Sequence, residues 1–126
     1  MIAGIYNLTC EQGTTFSRLI EIEQPDLVND PSGQTYIEYS LVGYQARMQV
    51  RRTVDNANYL VSLTSENGGL RVIPGIYENQ IQMFMSASVT ASINQSGVYD
   101  LEIIDAEGTV SRVLQGSFTL IPEVTR

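Results

Sequence analysis

Four carboxylates fall close together, at Asp100, Glu102, Asp105 and Glu107, and they are the only remaining candidates for acid–base or metal chemistry. The chain has no His, which removes the commonest general base, the Ser-His-Asp arrangement and the usual zinc ligand together. Its single Cys, Cys10, lies between Thr9 and Glu11 in a strand-like run. Without a His partner it reads as a small buried apolar residue rather than a nucleophile. The carboxylates offer oxygen ligands of the kind Ca²⁺ takes, but their spacing does not follow the calcium-loop pattern, so a solvated hairpin face is the plainer reading. A glycosidase-type pair is set by separation in space, and a chain this short leaves little room for a deep cleft.

Seven tyrosines raise the question of a sugar-stacking platform and hence of a glycan-binding module. Tyr also suits a half-buried pleated surface, and Trp, a favoured flat anchor, is absent. All seven basic residues are Arg, and the net charge is −7. That balance argues against nucleic acid, whose non-specific capture needs clustered basic side chains. Arg47, Arg51 and Arg52 are the local exception and read as a solvated or ion-paired strand end. Apolar runs are too short for a bilayer-spanning helix, and nothing at the start resembles a secretory signal. The expectation is therefore no cofactor, no metal, no small-molecule substrate and no membrane, with synthesis in a reducing cytoplasm.

The elements that hold these residues are strands. Tyr44, Ala46, Met48 and Val50 alternate with Gln45, Arg47, Gln49 and Arg51, the pattern of a half-buried antiparallel strand. Gln80 to Met85 repeats it with Ile81, Met83 and Met85 inward, and Phe16, Ile20 and Ile22 share a face around Arg18. Asn29-Asp-Pro-Ser-Gly33 marks a reversal. Asn67-Gly68 between Tyr59–Thr64 and Leu70–Ile73 predicts a hairpin with a type I′ turn. Ser86 to Ile93 is the one helical candidate, anchored by Val89 and Ile93. Gly97–Ile104 and the run from Thr109 form a closing hairpin around Asp105–Gly108. The whole reads as an all-β, single-domain antiparallel sandwich over residues 1–126, with about eight or nine strands and at most one short helix near 86–93.

Three doublets stand out: Ile103-Ile104, Val113-Leu114 and Leu120-Ile121. Adjacent strand residues point to opposite faces, so one member of each leaves the core. Two covers are open: another protein, or a loop or terminus of the same chain. On the first reading Ile104, Val113 and Ile121 form an outward docking surface with Arg112 and Arg126 as polar supports. Phe118 to Val124 then offers an edge for strand addition. Asp in place of Ile104 or Val113 is expected to block docking while leaving the domain folded.

The Gly-Thr-Thr-Phe16 strand, Gly43-Tyr-Gln-Ala-Arg-Met-Gln-Val-Arg51, Gly97-Val-Tyr-Asp-Leu-Glu-Ile103 and Pro122-Glu-Val-Thr-Arg126 resemble small virion proteins of tailed bacteriophages. The layout is similar to the immunoglobulin-like N-terminal domain of phage baseplate upper proteins, which attach receptor-binding fibres. Those proteins continue into a helical or fibre-binding region, which this sequence does not include. The resemblance implies an immunoglobulin-like sandwich that acts without catalysis as a tail, baseplate or fibre-attachment adaptor. It implies other virion proteins as partners, in multiple symmetric copies; a capsid decoration or head–tail connecting subunit is the alternative.

Overall fold

The computed structural model describes residues 3–126, so the first two residues of the expected 1–126 unit lie outside it. The chain is mostly β. Eleven strands run in the order β1 (Gly4–Ile5), β2 (Leu8–Glu11), β3 (Phe16–Glu21), β4 (Glu23–Pro25), β5 (Tyr36–Glu38), β6 (Gln45–Arg51), β7 (Tyr59–Thr64), β8 (Leu70–Ile73), β9 (Gln80–Met85), β10 (Gly97–Ile104) and β11 (Val110–Ile121). The excess over eight or nine comes from the two- and three-residue pieces β1, β4 and β5. One helix, α1 (Ala87–Ser92), falls inside the expected 86–93 window.

A six-stranded sheet has the order β1-β11-β10-β6-β7, with β2 also on β11, and a three-stranded sheet has the order β3-β9-β8. Their facing surfaces share one apolar core, in which the rings of Phe16 and Phe118 lie 6.4 Å apart. Alternation places the core residues as expected on β6, β9 and β10: Ala46, Met48 and Val50; Ile81, Met83 and Met85; Tyr99, Leu101 and Ile103 are all buried. Not every pairing is antiparallel, because β1 and β2 join β11 in parallel. Arg18 seals the seam between the sheets: its guanidinium lies 4.5 Å over the Phe16 ring and donates to the Thr9 carbonyl at 3.0 Å.

The predicted Tyr59–Thr64/Leu70–Ile73 hairpin does not form. β7 pairs with β6 and β8 with β9, so the chain changes sheets at Asn67-Gly68. A type I′ turn needs positive φ at both central residues, and here Gly68 has φ 80° while Asn67 does not enter that region. The Asn67 side chain instead braces a corner, its Oδ1 accepting from the Thr64 and Gly69 amides, both at 2.9 Å. Gly69 is packed so tightly that a Cβ would stand 2.7 Å from a Leu63 methyl.

Helix α1 is capped by Ser86, whose hydroxyl accepts from the Val89 amide. Its inward anchors are Thr90 and Ile93, whereas Val89 faces out at 38% exposure. Thr90 Oγ1 donates to the Thr14 carbonyl at 2.7 Å and accepts from the Gly13 amide at 3.0 Å, tying the helix to the β2–β3 turn. Gln12 in that turn reaches three ways: it pairs with Ile121 through its amide, donates from Nε2 to the Ile93 carbonyl, and accepts at Oε1 from the Glu123 amide.

β4 and β5 form a separate two-stranded arm carried between β3 and β6. Backbone hydrogen bonds fix its base: the Ile22 amide to the Asn79 carbonyl, Tyr39 to Ile22, and Leu41 to Glu78. The Tyr39 and Tyr44 hydroxyls meet at 2.6 Å, and this bond, with some burial, pushes the Tyr44 phenol up to about 12.

Candidate interaction surface

The polar positions of β6 and β10 make the outward face of the six-stranded sheet. Arg47 lies opposite Glu102 in register, and its Nε is 2.7 Å from the carboxylate. Arg112 of β11 reaches Asp100 at 3.3 Å. Two of the four sequence-picked carboxylates thus carry arginines. Asp105 does local work, its Oδ1 accepting from the Glu107 and Thr109 amides at 3.0 and 2.8 Å to shape the hairpin turn. Cys10 is 1% exposed, and burial pushes its thiol pKa up while Arg18 opposes the shift.

Between these ion pairs and β1 lies a shallow groove of about 500 Å³. Ile5, Val54 and Val98 give it apolar walls, while Arg51, Arg112 and Gln115 line it with donors. Arg51 is held by bonds of 2.7 Å to the Asn56 carbonyl and the Gln49 side chain, so this guanidinium is fixed within the face.

The sequence-picked docking residues do not assemble into one surface. Val113, expected outward, is 6% exposed and in the core. The cause is a β-bulge: Leu101 pairs with Leu114 but Glu102 with Arg112, so Val113 is the extra residue and both members of the doublet contribute to the core. Phe118 is fully buried against Phe16 and is no docking residue. One side of the expected strand-addition edge is already taken by β2, which pairs with Phe118 through Ile121, and on the other side the Leu120 amide donates to the Ser96 hydroxyl. Ile104 and Ile121 do face outward, half-buried and exposed, but Ile104 sits beside Val110 at the opposite end of β11. Arg112, Val124 and Arg126 are exposed.

What sequence reasoning missed is the arm. Leu27 is 61% exposed, Val28 91%, Tyr36 57% and Ile37 38%. On the neighbouring 74–78 loop Ile76 is 92% exposed and Tyr77 56%. The available signal was apolar residues inside turn chemistry: Leu27-Val28 between Pro25 and Pro31, and Ile76-Tyr77 just after Pro74-Gly75. Asp26 and Asp30 order the arm's loop. Asp26 accepts from the Asn29 amide and side chain, and Asp30 from Ser32 and Thr35.

No family model and no curated protein matches the chain.

Proposed function

We propose that the chain is a non-enzymatic structural protein of a tailed-phage particle, an immunoglobulin-like sandwich that joins other particle proteins by surface docking. The immunoglobulin-like reading is supported by strand order. β11, β10, β6 and β7 follow each other as G, F, C and C′ do in variable-type domains, and β3, β9 and β8 as B, E and D. Tyr99-Asp100-Leu101 occupies the place where antibody domains carry Tyr two residues before the second Cys. With one Cys the chain lacks the inter-sheet disulfide, and Phe16, Met48 and Phe118 fill the core instead.

The observation that carries the docking reading is apolar side chains exposed on the arm's tip loop and on the 74–78 loop that adjoins the arm's base, Val28 and Ile76 above all. Exposed apolar groups that adjoin one another, as Leu27-Val28 and Ile76-Tyr77 do along the chain, mark contact surfaces more often than singly scattered ones. Tail, baseplate, fibre junction and head are the candidate positions within the particle, with the resemblance of Gly97–Ile103 and its companion segments supporting a tail or baseplate location. The test replaces Val28 and Ile76 with Asp in the parent phage and quantifies the protein in purified particles. Incorporation is expected to fall at least about tenfold, the effect of losing one well-buried anchor. Unchanged incorporation overturns the docking role of the arm. Absence of the wild-type protein from purified particles overturns the structural role altogether.

A further inference from the structure

The groove and the arm are complementary in charge as well as apolar character. From Glu21 to Glu38 the chain carries five carboxylates and no basic residue. Glu23 and Glu38 stand directly opposite each other on β4 and β5, both exposed. Among the described residues neither has an ion-pair partner. Like charges directly opposite destabilise a two-stranded ribbon, and a cation brought from outside the arm would relieve this pair. The groove supplies one: within a chain of net charge −7, Arg51 and Arg112 line it against the single carboxylate of Asp100. Its apolar walls also carry uncovered surface, with Ile5 70% and Val54 82% exposed.

We infer that the β4–β5 arm of one copy seats in the groove of a second copy, with Glu23 and Glu38 meeting Arg51 and Arg112 and the Leu27-Val28 tip covering Ile5 and Val54. A chain's own groove is not the partner. The arm leaves β3 and is bonded at its base to Glu78 and Asn79 beside β9, whereas the groove lies on the outward face of the other sheet. The contact therefore joins unlike surfaces of two copies, and repetition of such a contact closes a ring or extends a filament. This inference rests on the docking reading of the arm and names its partner.

The experiment is sedimentation velocity of the full chain across concentration and salt, with two variants. The wild-type chain is expected to associate, and to do so less as salt screens the arginine–carboxylate contact. Arg112→Glu is expected to weaken association about tenfold or more. Glu38→Arg is expected to do the same although it gives Glu23 a cross-strand partner, so misfolding of the arm does not account for the loss. Mixing the two variants restores association, because the Arg112→Glu chain keeps an unaltered acidic arm and the Glu38→Arg chain keeps an unaltered groove. A wild-type chain that stays monomeric to about 1 mM overturns the inference. So does association that neither variant weakens, or that mixing fails to restore. A monomeric chain that still enters particles through Val28 and Ile76 discards the self-contact and keeps the docking reading. Loss of both discards both.

Discussion

The outward face of β6, β10 and β11 and the β4–β5 arm are both polar strand surfaces, but they are satisfied differently. On the sheet face Arg47 and Arg112 each meet a carboxylate from a neighbouring strand. On the arm Glu23 faces Glu38, and the loop between them exposes Leu27 and Val28. The backbone is equally well anchored in both, through ladders in one and through base hydrogen bonds and Asp26 and Asp30 in the other. The difference lies in side chains alone. It teaches that order and completeness are separate properties: the sheet face pairs Arg47 and Arg112 with carboxylates of its own strands, whereas the arm is ordered but leaves Glu23 and Glu38 without an ion-pair partner among the described residues and Leu27 and Val28 exposed.

The largest expected effect comes from placing the same charge in each region. Val113→Asp sets a carboxylate in the apolar core, where Val113 is 6% exposed. Such burial costs about 3–5 kcal/mol or more, enough to unfold a domain of ordinary stability. Val28→Asp at 91% exposure shifts stability by no more than about 0.5 kcal/mol. Urea denaturation of both variants reads the contrast directly. A folded Val113→Asp protein of near wild-type midpoint would break it, and would return Val113 to the outward position that the doublet rule assigns.

That rule also shows how far the sequence is legible. It works for Ile103-Ile104 and Leu120-Ile121, where pleating is regular and one member of each pair is buried while the other is not. It fails at Val113-Leu114 because a bulge adds a residue to one strand, and nothing in the local residue types announces it. Asn67-Gly68 correctly marks a reversal, but whether the next strand pairs with the last one or crosses to the other sheet is settled by core packing, not by the turn. The parallel joining of β1 and β2 to β11 and the reach of Gln12 across the β2–β3 turn are contacts between distant residues, outside any local pattern. The exposed apolar residues of the arm and the 74–78 loop escaped notice for a related reason, since periodicity finds apolar residues only where they repeat and Leu27, Val28 and Ile76 do not.

A smaller effect tests how firmly the body is closed. Tyr99 is 4% exposed and its hydroxyl donates to the Tyr6 carbonyl, clamping the chain between β1 and β2 onto the sheet. Tyr99→Phe removes that bond and is expected to cost about 1–2 kcal/mol. Burial, with Tyr6 adding to it, pushes this phenol up to about 12. The folded value lies above the unfolded value of about 10, so its contribution is fully present below pH 10 and is lost as pH rises through about 12. With no Lys in the chain, ammonium titration does not overlap this window. Across this window the wild-type protein should lose about 1–2 kcal/mol more stability than Tyr99→Phe, a figure reduced for solvent screening, with the Tyr44 phenol contributing equally to both proteins. Equal alkaline losses in the two proteins would mean that the phenol is not closed off from water.

The smallest effect belongs to the arm, where the Asp30 carboxylate is one of the groups that order the loop. Ser32 first and then Thr35 hydrogen-bond to Asp30 and hold its pKa down to about 2. The folded value lies below the unfolded value of about 3.9, so the ordering is present above pH 3.9 and is lost as pH falls through about 2. Amide resonances of Ser32 and Thr35 should therefore hold their positions from neutral pH down through pH 4 and move only in stronger acid. Asp30→Asn removes the charge-assisted acceptor, so exchange of those two amides with solvent should rise on the order of tenfold while the unfolding midpoint of the whole chain stays in place. A shift of the global midpoint would instead mean that arm and body unfold as one unit, and the separation between an ordered arm and the body of paired sheets would have to be given up. Titration of both amides near pH 4 would show that Asp30 does not hold the loop, leaving the arm's order to Asp26 and the base hydrogen bonds.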